Sequence, residues 1–263
     1  MGGIDLVVNK RQITNFLVAT FSLTYLLLFI MIIANNFNVL GFDTPLGMLL
    51  YILSTLSPTI MSFFILKKSG LVSGLKEFAK TAFAIKQKPL YYGLVFSLLF
   101  LQYIFPALML KARSDVAWYM GLLMIIPCIL DGGLEELGWR YILHPTLEKR
   151  FSFFVASSIT ATIWILWHIP FFFVAGTGQS EMNFIFFSIM VFGFSFAISA
   201  IYHVTKSVWL CILCHAIFNA FSFYWPMAQE FTTTLISTTC SVIISTAIVF
   251  LTDSKRIKQH KLS

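Results

Sequence analysis

Long apolar runs separated by short polar turns set the pattern of the chain. Residues 16–34 stay apolar for a full membrane crossing, and further runs follow near 46–66, 90–110, 117–138, 153–175, 184–204, 207–224 and 232–251. A bilayer core about 30 Å thick takes about 20 apolar residues per helix, so the pattern predicts about eight transmembrane helices with both termini on one side. The runs are continuous rather than alternating, which suits helices and excludes a barrel. The expected class is therefore all-α, a polytopic membrane protein forming one domain over 1–263. The first run is too long for a signal-peptide core and no small-residue cleavage site follows, so it reads as a retained helix. Leu75–Ile85 reads as a short helix lying at the interface. The stretch 139–150 is polar enough to ride at or above the interface, and the pattern shows no internal repeat or broken-helix pair.

Composition supports this class. Of the 263 residues, 58% are hydrophobic and only 11% charged, with mean hydropathy +0.85, against about 25% charged residues in soluble domains. The net charge of +7 does not indicate nucleic acid, because the cations sit in short loops between apolar runs. Only Lys111 and Arg113 fall on one side, and the other sixteen of the 18 Lys and Arg fall on the side of the termini. The positive-inside rule then places both termini in the cytoplasm. The compact chain and short loops suit a bacterial cell membrane, with lipids as the surrounding partner.

Against this apolar background, Asp131-Gly-Gly-Leu-Glu-Glu-Leu-Gly-Trp-Arg140 stands out. Ionisable groups within membrane helices are expensive and usually functional. Adjacent helical residues point about 100° apart, so Glu135 and Glu136 face different partners. Arg140 lies four residues after Glu136 and can pair with it on one face, which leaves Glu135 for chemistry.

Three more polar groups interrupt later runs: His168 in Trp164-Ile-Leu-Trp-His-Ile-Pro170, and His215 with Asn219 four residues on. Taken singly, each reads as a polar helix–helix contact. A hairpin turning at Arg150-Phe151 places Glu135 and His168 at matching depth, about 24 Å along each arm. His215 and Asn219 lie about 14–20 Å in from Lys206. All four therefore can converge, in a cavity expected to open to the cytoplasmic side. Pro170 removes the donor that would have bonded the Leu166 carbonyl and permits a kink there. His144 and His203 read as ordinary polar residues, and Cys211 and Cys214 as packing rather than a zinc pair.

The run Glu135-Glu-Leu-Gly-Trp-Arg140, the Trp164-xxx-His168-Ile-Pro block and His215-xxx-Asn219 resemble the three motifs of the CAAX-protease and bacteriocin-processing family (CPBP, Abi type). These are intramembrane proteases related to the type II CAAX prenyl endopeptidase. The motif-bearing core is residues 117–224. Trp164 stands where the second motif often has Phe. The resemblance implies a hydrolase that cuts peptide bonds near the cytoplasmic membrane face, acting on a peptide or a lipidated protein. Its role would be prenyl-protein processing, or bacteriocin and peptide processing and immunity. It implies Glu135 as general base on a water that His168 also holds, Glu136 and Arg140 as a structural pair, and His215 and Asn219 as oxyanion donors. The same side chains suit zinc as well, with Glu135, His168 and His215 as ligands and water in the fourth place, although HExxH is absent. Zinc and a metal-free glutamate mechanism both stay open at this point. The competing reading is a non-catalytic membrane scaffold or immunity protein that binds a partner through the same cavity.

Overall fold

The computed structural model describes residues 9–109, 115–225 and 230–262, and every regular element within them is helical. The protein is an all-α polytopic membrane protein. Lys111 and Arg113 lie outside the described residues. Five helical stretches are long and apolar enough to cross a bilayer: α1 (Lys10–Asn36), α5 (Pro89–Met109), the continuous run Phe153–Phe173, α10 (Phe184–Thr205) and Phe231–Ile257 of α12 (Phe231–Leu262). A sixth is a bent pair, α2 (Pro45–Thr55) and α3 (Ser57–Lys68), meeting at 51°. The other two expected crossings are shorter. α6 (Met120–Leu130) has 11 residues and α11 (Val208–Ser222) has 15, about 16 and 22 Å of helix. Among the described residues five or six spans pass by length and composition, which does not confirm the expected eight.

The difference comes from breaks that run length does not record. Pro58 stands in the first turn of α3, where its missing N–H removes a bond to the preceding turn and lets the chain bend. Pro127 lies near the end of α6, and Gly132 follows with φ +114°, a conformation open to glycine and costly for other residues. The expectation of no broken helices is therefore corrected at two places.

After Gly132 the chain runs through a 3-10 turn (Gly133–Glu135), a single turn α7 (Glu136–Gly138), a π-helix (Trp139–Leu143) and α8 (His144–Glu148). Irregular backbone at membrane depth is tolerated where protein surrounds it. Trp139 through His144 are 0–6% exposed, so this stretch is core. Only Lys149 and Arg150 emerge at the interface expected for the whole of 139–150.

At the centre lies α10, packed against α5, α9 (Phe153–His168), α11 and α12. Apolar lipid gives helices little reason to associate, so close backbone approach and polar contacts carry the packing. A Cβ on Gly193 would stand 2.7 Å from the Thr238 Cα, so glycine allows α12 to close on α10. Gln102 on α5 donates to the Ser241 hydroxyl at 2.8 Å, and Ser241 donates to the Gly193 carbonyl at 2.8 Å. One chain of hydrogen bonds thus ties three helices.

The bundle has two distinct ends. At one, Gln12 of α1 bonds Ser69 after α3, Trp209 of α11 donates to Tyr92 of α5 at 3.1 Å, and His203 of α10 bonds Glu148 at 2.7 Å and Asp253 of α12 at 2.9 Å. α4 (Leu75–Ala82) lies at this end as the expected short helix, with Phe78 and Ala82 buried. At the other end, Tyr51 of α2 donates to Gln179 at 2.9 Å, and Phe186 of α10 meets Phe231 of α12 with ring centroids 5.9 Å apart.

Candidate active site

Gly132 ends the outer arm of the broken fourth segment and starts the 3-10 turn that delivers Glu135 to the interior. Glu135 is 4% exposed. Its Oε2 accepts the indole N–H of Trp164 at 2.9 Å and that of Trp139 at 3.3 Å. Both donors fall on one oxygen, so Oε1 takes no protein donor among the described residues.

Glu136 points elsewhere, as adjacency on a helical turn requires. It is fully buried and makes an ion pair with Arg140 at 3.1 Å. Arg140 donates to the Ser195 hydroxyl at 2.6 Å and its carbonyl at 3.3 Å, and its guanidinium lies 4.6 Å over the Trp164 ring. The second Glu136 contact is with His215, whose Nδ1 is 2.8 Å from Oε1. A carboxylate accepts, so Nδ1 carries the proton and Nε2 is turned toward the cavity. The pair expected between Glu136 and Arg140 is thus one part of a relay that ends on a site histidine.

His168 is oriented by the same logic. Its Nδ1 is 2.8 Å from the Trp164 carbonyl, which only accepts, so Nε2 is left with its lone pair. Pro170 leaves the helix as a 3-10 turn, Ile169–Phe173. The Leu166 carbonyl that Pro170 cannot serve accepts the Tyr25 hydroxyl of α1 at 2.7 Å. Asn219 donates through Nδ2 to the Asp131 carbonyl at 3.2 Å, which fixes the Asp131-Gly132 turn to α11 and leaves a second amide hydrogen. A Cβ on Gly132 would stand 2.3 Å from that Nδ2 and 3.0 Å from His215 Nε2.

Glu135, His168, His215 and Asn219 line one cavity of about 80 Å³ open to water-sized molecules, room for several waters. Glu136 and Arg140 stand behind it and reach it through His215 and Trp164. The sequence spacing brings the four lining residues together and does not single out Trp139, Trp164 or Ser195 as their partners. The Glu135–Trp139 spacing of four, the same as Glu136–Arg140, was the available signal for one of them. The lining reaches Thr55, Gln179 and Phe187 and takes nothing from the 69–88 or 144–152 connections, so the cavity lies toward the end opposite the cations.

A zinc site takes at least three ligands aimed at one point. No three His, Cys, Asp or Glu side chains are so placed among the described residues. The arrangement does not fit the Glu135–His168–His215 ligand set.

Residues 114–221 match the profile of the family described as type II CAAX prenyl endopeptidase Rce1-like. Among curated proteins, CAAX prenyl protease 2 of Methanococcus maripaludis is 34% identical over 84 residues, covering 32% of this chain and 30% of that protein. The similar stretch therefore spans less than a third of that relative. Every one of the residues described above as lining the cavity near Glu135, His168, His215 and Asn219, other than Thr55, lies within the matched 114–221 stretch.

Proposed function

From the match of residues 114–221 to the Rce1-like profile, we infer that the protein is an intramembrane endopeptidase that hydrolyses a peptide bond with a glutamate-activated water. The observation that carries this reading is the convergence of Glu135, His168, His215 and Asn219 on one small buried cavity. A water seated there meets two acceptors, Glu135 Oε1 and His168 Nε2, which take its two hydrogens and leave an oxygen lone pair for the scissile carbonyl carbon. Glu135 removes a proton as the C–O bond forms, and returns it to the leaving nitrogen as the C–N bond breaks. The products are a carboxylic acid and an amine. The tetrahedral oxygen accepts the free amide hydrogen of Asn219, and His215 Nε2–H when that ring is doubly protonated, each such donor contributing about 3–4 kcal/mol. Glu136, Arg140 and Ser195 hold His215 in place. The substrate class is a peptide or lipidated protein, by analogy with the relative named above.

The test is cleavage of a fluorogenic, lipidated C-terminal peptide by the purified protein in detergent. Glu135→Gln should lower kcat by about 100-fold or more while melting as the wild type does. A chelator should leave the wild-type rate unchanged. Loss of activity to chelator with recovery on adding zinc would overturn the metal-free scheme, and wild-type cleavage by Glu135→Gln would remove the base from its role.

A further inference from the structure

Asp131 brings a second carboxylate to the cavity that holds Glu135. It sits just past the end of α6, about 16 Å from the start of that helix, so it lies well inside the apolar part of the bundle. It is exposed there. A carboxylate at such depth is costly unless a partner compensates its charge.

The protein offers that charge little. The Thr55 hydroxyl touches the carboxylate but donates to the Ile52 carbonyl at 3.0 Å, and one hydroxyl has one hydrogen to give. His215 is the nearby group able to become positive, and its ring is already fastened through Nδ1 to Glu136 at 2.8 Å. No lysine or arginine lines the cavity among the described residues. Arg140 is committed to Glu136 and Ser195, and the other described cations gather where α1 starts and α12 finishes. A chain of net charge +7 thus lines this cavity with carboxylates and imidazoles as its ionisable groups.

Asn219 fixes where Asp131 stands relative to the reacting bond. One hydrogen of its Nδ2 goes to the Asp131 carbonyl at 3.2 Å, and the other, in the protease reading above, goes to the tetrahedral oxygen. Each acceptor is then about 3 Å from one nitrogen, so the two are no more than about 6 Å apart. Successive Cα atoms of a peptide are about 3.8 Å apart. A side chain that meets Asp131 therefore belongs to the first or second residue beside the scissile bond. Lysine and arginine suit the place, since each carries its charge at the end of an apolar stem that packs along apolar walls.

Resting on that protease reading, we propose that Asp131 determines specificity: its carboxylate receives a lysine or arginine side chain of the substrate, one or two residues from the bond that is cut. The pairing seats the peptide with its carbonyl beneath Asn219 and leaves the chemistry to Glu135.

Fluorogenic peptides with lysine, norleucine or glutamate at each of these four positions in turn test the pairing. All are N-acetylated, which removes the terminal ammonium as a competing cation. With the wild-type protein in detergent, lysine at one position should raise kcat/KM about tenfold over norleucine, the size expected of a hydrogen-bonded charge pair, and glutamate should lower it. In Asp131→Asn the lysine-to-norleucine ratio should fall to about one. Asp131→Glu should restore part of it, and Asp131→Lys should turn the preference to glutamate. A carboxylate that only capped α6 would change the rates of both peptides alike and leave their ratio intact. That result overturns the proposal, as does a wild-type ratio of one at all four positions. If the wild type cleaves none of the peptides, their binding to wild type and Asp131→Asn, read by fluorescence anisotropy, decides. A lysine preference in Kd that is lost in Asp131→Asn keeps the subsite and removes the protease reading, and equal Kd values overturn the proposal.

Discussion

Two indole N–H groups on one carboxylate oxygen make Glu135 an unusually well-held residue for a group with so few neighbours able to donate. Trp164 is the more informative of the two, because the motif it resembles often has phenylalanine at this place, which cannot donate. Trp164→Phe keeps the ring stacked beneath Arg140 and removes only the 2.9 Å bond. Hydrogen bonds to a charged group contribute about 1.5–3 kcal/mol, and Trp139 retains part of the hold. The expected outcome is a kcat lowered by about tenfold, close to 1.4 kcal/mol, with KM and melting temperature little changed. Steady-state kinetics on the lipidated peptide would show it, and a fall confined to KM would mean that Trp164 contacts substrate instead. The positions of Glu135, His168, His215 and Asn219 were readable from spacing, since charge and imidazole stand out in apolar sequence. The two tryptophans were not, because among 29 Phe and 6 Trp an indole reads as a lipid-facing or core ring until its N–H partner is seen.

Breaks, more than helices, shape this bundle at the level of its elements. The turn at Gly132 illustrates the point: positive φ admits glycine, and the two site side chains crowd the space a Cβ would fill. Gly132→Ala should displace Asn219 and His215, add about 1–3 kcal/mol of backbone strain and abolish measurable cleavage. Gly178→Ala, where a Cβ meets nothing within 4 Å, should leave both activity and melting temperature at wild-type levels. Parallel melts and rate assays of the two variants separate a specific requirement at 132 from a general sensitivity to side chains. The apolar runs announced where helices would be and the short α4 was visible in its charge pattern. The interruptions at Leu56 and Asp131 were hidden, because proline and glycine inside an apolar run leave its average hydropathy intact while removing hydrogen bonds that only geometry reveals.

For the molecule as a whole, the cationic end is held by ionisable groups that respond to acid. Burial lowers the His144 pKa from 6.5 to about 4. Glu148 is pushed upward by burial, but the His203 hydrogen bond and the nearby His144, His203 and Lys206 charges outweigh this and hold it below the usual carboxylate range. Both shifts have the same sign in their effect. A histidine with a depressed folded pKa lets the unfolded chain take up the proton first, so stability is intact above about pH 6.5 and falls as pH drops toward 4. The glutamate's contribution is present above its unfolded pKa and is lost as pH falls through the lower folded one. Acidification between pH 6.5 and 4 should cost roughly 3 kcal/mol through His144 alone. His144→Gln should flatten that limb of a melting-temperature profile in detergent, and a slope equal to the wild type's would assign the acid sensitivity elsewhere. At this scale the described cations other than Arg140 gather at one end as their loops suggest, whereas 139–144 is buried, and polarity alone misses that burial because one buried Arg and one buried His look like interface residues.

The tight packing around Trp139 and Arg140 also bears on the energy economy of the membrane. A wet cavity reaching the bilayer's middle needs only a second mouth to become a leak, and each elementary charge crossing 100 mV releases about 2.3 kcal/mol. Trp139, Ile142 and Leu143 are no more than 1% exposed, and the Arg140 charge beside them is balanced by Glu136 at 3.1 Å. Tight packing behind the glutamate would let a wet cavity sit at this depth while the electrochemical gradient across the same bilayer stays intact.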